Sequence, residues 1–334
     1  MSAMSLTLDL SVGELASTRF AISPLSETIA GLQQLGVWRG KSHLPWTRWA
    51  SAELAARPLA MPRTWPLIVN DRPSFPQFLL PAPGAPETTI EDNLAELRRT
   101  TDSQVRASLQ RSFGGDLPAS AAELAADPAA GLRAIAAELR EAHARLIAPH
   151  WPRIKAVLEA DIAYRARQQA AGGAARLFGD LHPDLRWNDG RLTLIDVARG
   201  NRESRALAPG GLVLMPLVLG PPYVLVKLHT TTLTTVRYPA RGAAVLWSAG
   251  TRPAPGSTVR LLGRRRAVLL EVLRSPATTS DLARALKVSP SAISQHVVVL
   301  RDSGLVASER SGRTVLHRTT ERGLALLEPQ PQSR

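Results

Sequence analysis

The sequence contains no cysteine. Disulfides, thiolate nucleophiles and Cys-ligated zinc are therefore excluded, and nothing calls for an oxidising compartment. Lysine is nearly as scarce: of 41 basic residues only Lys41, Lys155, Lys227 and Lys287 are lysines. Aromatic residues make up 4% of the chain, and seven of them are tryptophans, at positions 38, 46, 49, 65, 151, 187 and 247. Most read as core anchors, with those beside prolines suited to lining an apolar ligand pocket. Long apolar runs are also missing. The most apolar stretch, GLVLMPLVLGPPYVLV (211–226), is interrupted by Pro216, Pro221 and Pro222 and falls short of the roughly 20 residues a membrane helix needs, so it reads as two strands. The opening MSAMSLTLDLS has neither the basic nor the apolar region of a signal peptide. These absences lead to the expectation of a cytoplasmic protein that makes no membrane contact.

Acidic residues are outnumbered, 28 against 41, giving a net charge of +13. A field of that sign attracts polyanions. It is unevenly spread: residues 263–334 hold 12 Lys and Arg against 6 Asp and Glu, net +6, while the first 262 hold 29 against 22, net +7. Charge density is thus about three times higher in the tail, where nucleic acid is to be sought.

With 334 residues, 44% of them apolar, the chain can form two or three globular domains. A short strand is expected at LTLDLS (6–11). Helical periodicity with Pro-rich punctuation then fills 24–150, beginning with Pro24 behind a Ser23 cap and a stripe of Ile29, Leu32 and Leu35. RPSFPQFLLPAPGAP (72–86) reads as a linker or packed loop. WPRIKAVLEADIAYRARQQAA (151–171) is an amphipathic helix carrying Ile154, Val157, Leu158, Ile162 and Ala163, closed by Gly172 and Gly173. Past Leu181 the period shortens: Asn188-Asp189-Gly190 predicts a hairpin, and strands follow near 211–215, 223–227 and 232–237. The predicted fold is α+β multidomain. Residues 1–180 form a mainly helical N-terminal domain, 181–251 its β-rich continuation, 252–260 a linker, 261–328 a winged helix-turn-helix and 329–334 a disordered tail.

The winged-helix expectation rests on linked signals. LLGRRRAVLLEVL (261–273) reads as a helix with Leu262, Val268, Leu269 and Val272 inward. Thr278 and Asp281 have capping-box spacing before Leu282 and Leu286. In SPSAISQHVVVLRDSGLV, Ser289 suits an N-cap, Pro290 the first helical position and Gly304 the residue past the end. At 100° per residue Ile293, Val297 and Leu300 share one face, while Ser291, Gln295, Val298 and Asp302 lie opposite, flanked by Ser294 and Arg301. A helix with an anchored face and a small polar one suits the major groove: Gln pairs bidentately with adenine, and Val298 can touch a thymine methyl. LVASERSGRTVLHRT then alternates on both sides of Ser311-Gly312, a wing whose Arg310 and Arg313 flank the tip for phosphate contacts.

Together S-x-I-S-Q-H-V-x-x-L-R-x-x-G-L-V and the wing G-R-x-V-x-H-R-T-T resemble the DNA-binding domain of the ArsR family of bacterial repressors, over about 263–327. The resemblance implies a homodimer on a near-palindromic stretch of double-stranded DNA, with these roles falling on Ser291, Ser294, Gln295 and His296 and on Arg310 and Arg313; the helix pattern itself adds Ser289, Val298 and Arg301 as candidate DNA contacts. His296 lies nearer the buried face and is divided between packing and DNA contact. Arg264 to Arg266 form either a phosphate clamp or a solvated face. The metal sensors of that family use Cys pairs or His and carboxylate ligands on the last helix; without Cys, and with TERGLALLEPQ in that place, no metal and no cofactor is expected. The front half, through RFAISPLSETIAGLQQL, APHWPRIKAVLEADIAYRARQ, YPARG and LLGRRRAVLL, resembles the N-terminal domain of a high-GC bacterial subfamily of such regulators, a resemblance that brings no chemistry with it.

The functional expectation is a transcriptional regulator, a repressor by the same analogy, that reads an inverted repeat with helix 290–303. Its N-terminal domain serves small-molecule effector sensing or dimerisation, and no catalytic residue is assigned. One alternative is an adaptor using the winged helix for protein contacts. Another comes from GDLHPDLRWNDGRLTLID (179–196), which superficially resembles the catalytic segment of aminoglycoside-type phosphotransferases with Asp180 and Asp196 as catalytic and magnesium-binding groups. There, however, the metal-binding Asn position is Leu185, the expected His is Phe178, and no Gly-rich loop or strand lysine precedes, leaving little to hold Mg-ATP.

Overall fold

The computed structural model describes residues 5–36, 45–70, 75–195, 203–206, 210–228, 233–246, 254–274, 277–311 and 314–327. The chain divides into two compact units, residues 1–39 with 50–240, and residues 40–49 with 241–334. The architecture is α+β and multidomain. In chain order the elements up to residue 240 are β1 (Ser5–Asp9), α1 (Val12–Ala16), β2 (Arg19–Phe20), α2 (Pro24–Leu35), α3 (Pro45–Ala56), α4 (Trp65–Ile68), α5 (Ile90–Arg98), α6 (Asp102–Phe113), α7 (Ala119–Ala126), α8 (Pro128–Ala142), α9 (Trp151–Gly179), β3 (Leu185–Asn188), β4 (Arg191–Ile195), β5 (Glu203–Ala206), β6 (Leu212–Leu217), β7 (Leu225–Lys227) and β8 (Thr234–Pro239).

Two four-stranded sheets share one core in this first unit. The first has the order β3-β4-β1-β5, with β1 antiparallel to β4 and parallel to β5. Its β3–β4 hairpin turns through Asp189 (φ 44°) and Gly190 (φ 78°), the two positive φ values a type I′ turn requires. The second sheet has the order β2-β6-β8-β7, with β6 parallel to β2 and β8, and β7 antiparallel to β8. Leu8, Leu192 and Leu194 of the first sheet meet Leu212, Leu214, Val236 and Tyr238 of the second around Phe178. Trp187 stacks on Phe178 at 5.0 Å between ring centroids, one tryptophan that does anchor a core.

The helices depart from the expected single stripes. Ser23 caps α2 by accepting the Ser26 N–H at 3.1 Å, but every residue of α2 is buried, not only Ile29, Leu32 and Leu35. The buried stripe of α9 is Ile154, Leu158, Asp161 and Arg165; Ala163 is exposed, and Val157 and Ile162 are half-buried. Arg165 displaces the aliphatic stripe because it closes a polar network. It pairs with Asp161 at 3.5 Å and with Asp180 at 3.0 Å, and the Tyr238 hydroxyl donates to Asp161 at 2.8 Å. Buried polar groups that satisfy one another in this way rigidify a core. The helix breaks at Gly172 and Gly173 (φ 61°), after which a short helical stretch runs to Gly179. Asp180 is thus the helix C-cap and a partner of Arg165, and Asp196 lies outside the described residues. The segment 75–83 is a packed loop that buries Phe78, Leu79 and Leu80.

The second unit continues with α10 (Ala243–Leu246), α11 (Gly256–Leu262), α12 (Arg264–Val272), β9 (Ala277–Thr278), α13 (Thr279–Leu286), α14 (Pro290–Asp302), β10 (Val306–Ser311), β11 (Thr314–Thr319) and α15 (Glu321–Leu327). Residues 256–260, expected as linker, are helical. The helix expected over 261–273 is two helices, because Gly263 takes φ 79° and ψ 152° between them. Val268, expected inward, is 36% exposed; the inward side of α12 is Ala267, Leu269, Leu270 and Val272. Residues 329–334, Trp38 and Trp247 lie outside the described residues. Among those described, no helix is long and apolar enough to cross a membrane.

Candidate nucleic-acid interface

The core of the second unit is built from Leu269, Leu270 and Leu273, with Leu282 and Ala283 of α13, Ile293, Val297 and Leu300 of α14, and Leu305 and Val306. Helix α13 starts at a capping box: Asp281 N–H donates to Thr278 Oγ1 at 3.1 Å, and Thr278 Oγ1 donates to Asp281 Oδ2 at 2.7 Å. It ends at Lys287, whose φ of 53° lets Val288 N–H reach back to the Ala283 carbonyl at 3.0 Å. That left-handed residue makes the turn of the helix-turn-helix.

Ser289 then caps α14, its Oγ accepting the Ala292 N–H at 3.3 Å, with Pro290 in the first position. At the far end Gly304 adopts φ 70°, its N–H bonds to the Arg301 carbonyl at 2.8 Å and Leu305 N–H bonds to the Leu300 carbonyl at 2.8 Å. Those two bonds are a Schellman motif, and Leu300 and Leu305 supply its apolar contact. The length of α14 and its exit into the wing are therefore fixed at both ends by local chemistry.

Ile293, Val297 and Leu300 anchor one side of α14, each no more than 3% exposed. Ser291, Ser294, Gln295, Val298, Arg301 and Asp302 are exposed on the other, and His296 is half-buried between. Ser289 and Ser291 share a hydroxyl contact of 3.0 Å. Arg301 reaches Asp302 at 3.3 Å, so its charge is partly offset by a neighbour on the same face. Val299, which the helical-wheel reading did not single out, is 40% exposed beside Val298 at 42%.

The sheet order is β10-β11-β9. Strands β10 and β11 pair from Val306 opposite Thr319 to Ser311 opposite Thr314. Arg310 is exposed on β10; Arg313 and the turn lie outside the described residues. The base of the wing is fastened by His317, which sequence reading placed only in the alternation. Its Nδ1 is 2.8 Å from Ser308 Oγ and its Nε2 is 3.0 Å from Thr279 Oγ1, joining the wing to the start of α13. Burial, aided by Arg301, holds this imidazole below its ordinary pKa, favouring the neutral ring. Helix α15 closes the unit: Thr320 N–H bonds to the Leu305 carbonyl at 2.9 Å, and Thr320 Oγ1 accepts the Gly323 N–H at 3.2 Å.

Three helices, with α13 and α14 joined by a tight turn, and a two-stranded wing define a winged helix-turn-helix. Residues 263–308 match the family described as bacterial regulatory protein, arsR family, and residues 114–244 separately match a family of unknown function. Among individual proteins, the chain is similar to the HTH-type transcriptional repressor SmtB of Mycobacterium tuberculosis, 38% identical over 74 residues, which are 22% of this chain and 55% of that protein. It is also similar to the HTH-type transcriptional regulator Rv2034 of the same organism, 37% identical over 65 residues, 20% of this chain and 61% of that one. The chain thus spans little more than half the length of the curated relatives it matches. Solved structures that align with it include a mutant of Lactococcus lactis ZitR (27% identical, 19% of this chain and 45% of that one, TM-score 0.18) and a possible transcriptional regulator for arsenical resistance (32% identical, 23% and 77%, TM-score 0.18). The C-terminal segment 263–308 belongs to the ArsR family of bacterial regulatory proteins.

Proposed function

We propose that the protein is a DNA-binding transcriptional regulator, acting as a repressor, that reads an inverted repeat as a homodimer through α14. The observation that carries this reading is the exposed stripe of α14: Ser291, Ser294, Gln295 and Val298 stand clear of a buried Ile293-Val297-Leu300 anchor. A base-reading helix needs such a stripe, because short polar and methyl-bearing side chains reach base edges while the anchored face holds the register. Gln295 pairs with an adenine, Val298 meets a thymine methyl, Ser289 and Ser291 bind at the entry to the groove, and Arg310 and Arg313 of the wing bind phosphates. His296 and Arg301 border the reading stripe. The unit formed largely by residues 50–240 senses an effector or completes the dimer.

Anisotropy titrations on a selected operator and on random duplex separate these roles. Gln295→Ala is expected to cost ~1–3 kcal/mol on the operator at one base position and little on random DNA. Arg310→Ala is expected to weaken both about equally and to reduce the salt slope by roughly one. Equal losses on both duplexes for Gln295→Ala would remove it from base reading.

A further inference from the structure

The second sheet of the N-terminal unit has one apolar and one cationic face. Register places Arg19, Val213, Thr235 and Lys227 in one row across β2, β6, β8 and β7, and Met215, Arg237 and Leu225 in the next row. Paired residues in adjacent strands project to the same side, so three cations share a face, with Lys227 and Arg237 diagonal neighbours on an antiparallel pair. The opposite side, with Leu212, Leu214, Val236 and Tyr238, lies in the leucine core.

Two of the three cations on this face are buried, and Arg19 is half-buried. Lys227 is 2% exposed and Arg237 7%. Arg237 Nε has no hydrogen-bond partner, and neither has Arg19 Nη1. Among the described residues no carboxylate forms an ion pair with Lys227, Arg237 or Arg19. The described groups that cover the face are neutral: Lys227 Nζ donates to the Leu80 carbonyl and Arg19 Nη2 to the Pro83 carbonyl, and Ala82 packs with Ala21, Val213 and Met215. Burial, reinforced for Lys227 by its neighbour Arg237, drives the lysine well below its ordinary range, and burial alone brings Arg237 down to about 10. A natural core rarely carries two adjacent uncompensated cations, because each loses its hydration without gaining a partner. An anion that enters supplies the missing charge.

We propose that this face binds a small organic carboxylate, its head group taken by Arg237 and Lys227 beside the Thr235 hydroxyl and its apolar body lying against the half-buried Leu225 and Leu233. The guanidinium fork matches a carboxylate in two parallel hydrogen bonds. The aliphatic remainder of the wall favours an acid with a hydrocarbon body over a fully hydrated inorganic anion. This binding stands apart from the DNA reading; only the coupling of the two, an acid that alters operator affinity, rests on it.

The test uses the full chain, with benzoate and hexanoate as probes, inorganic phosphate as the comparison and sodium chloride holding ionic strength constant. A saturable rise in melting temperature with the organic acids is expected, as linkage requires for a ligand held by the folded state alone. Isothermal titration should show affinity falling roughly tenfold or more in Arg237→Gln and in Lys227→Met, and remaining unchanged in Arg186→Gln, which alters an exposed arginine of β3. Lys227→Met should also raise the melting temperature of the anion-free protein, since it removes a buried amine that no carboxylate among the described residues pairs with. Wild-type protein that responds to the organic acids no more than to chloride overturns the site, and so does a response to phosphate alone. Wild-type protein that binds no organic acid but keeps operator selectivity would sink this site and leave the DNA reading standing, while wild-type protein that binds the acids but selects no operator would do the opposite.

Discussion

Glu27 is fully buried on α2 and its carboxylate accepts the backbone N–H groups of Val218 at 2.6 Å and Leu219 at 2.9 Å. Burial outweighs those two bonds and raises its pKa from 4.5 to about 7. A carboxyl raised on folding binds its proton more tightly in the native state, so the stability it contributes is fully present below 4.5 and is lost as pH climbs through about 7. At about 1.4 kcal/mol per unit the loss amounts to roughly 3 kcal/mol. Denaturant unfolding of wild type and Glu27→Gln at pH 5 and pH 8 should show the gap between them moving in favour of glutamine by that amount; a gap independent of pH would contradict the assignment. The sequence offers no hint of this residue's state, since Glu27 looks like an ordinary first-turn acid behind a Ser23 cap. Only the enclosure of α2 on every side makes it otherwise. Gln295 is the opposite case, legible because spacing alone puts it across from Ile293, Val297 and Leu300.

Among the elements, those governed by local chemistry were readable and those governed by neighbours were not. The Asn188-Asp189-Gly190 hairpin, the Thr278–Asp281 capping box and both ends of α14 follow from residues within a turn of each other. The break at Gly263 was missed because apolar residues flank it at helical spacing. The turn before α14 was expected from the Ser289 cap, but its left-handed residue was not, because Lys287 stands where glycine is the common choice. The cationic sheet face depends on register between strands far apart in sequence. Helix α15 shows how tightly such contacts are set: a Cβ on Gly323 would lie 2.4 Å from the Leu305 carbonyl oxygen and 2.7 Å from Thr319 Cγ2. That carbonyl also accepts the Thr320 N–H, so it cannot give way without loosening the helix start. Gly323→Ala is expected to destabilise the unit by ~1–3 kcal/mol. Gly256→Ala, whose added Cβ would meet only Arg260 Nη1 at 3.7 Å, should be nearly neutral in the same thermal melts.

For the whole molecule, the excess charge and the fold divide the work. The last 72 residues hold nearly half of the net +13, and within them α14 exposes Ser291, Ser294, Gln295 and Val298, the stripe proposed to read bases. The larger unit carries a cationic sheet face that no carboxylate among the described residues pairs with. In the proposed scheme the two are linked by mass action: an acid bound to one unit changes the affinity of the other for DNA, and the operator changes the affinity for the acid by the same factor. The central claim, sequence reading by α14 in a dimer, is tested most directly by selecting bound sites from a random duplex pool at near-physiological salt, using the full chain. The account predicts enrichment of an inverted repeat whose half-sites lie about one helical turn apart or a multiple of it, with preference at one position lost in Gln295→Ala. A pool that shows no common sequence after selection, with and without the organic acids, would contradict it.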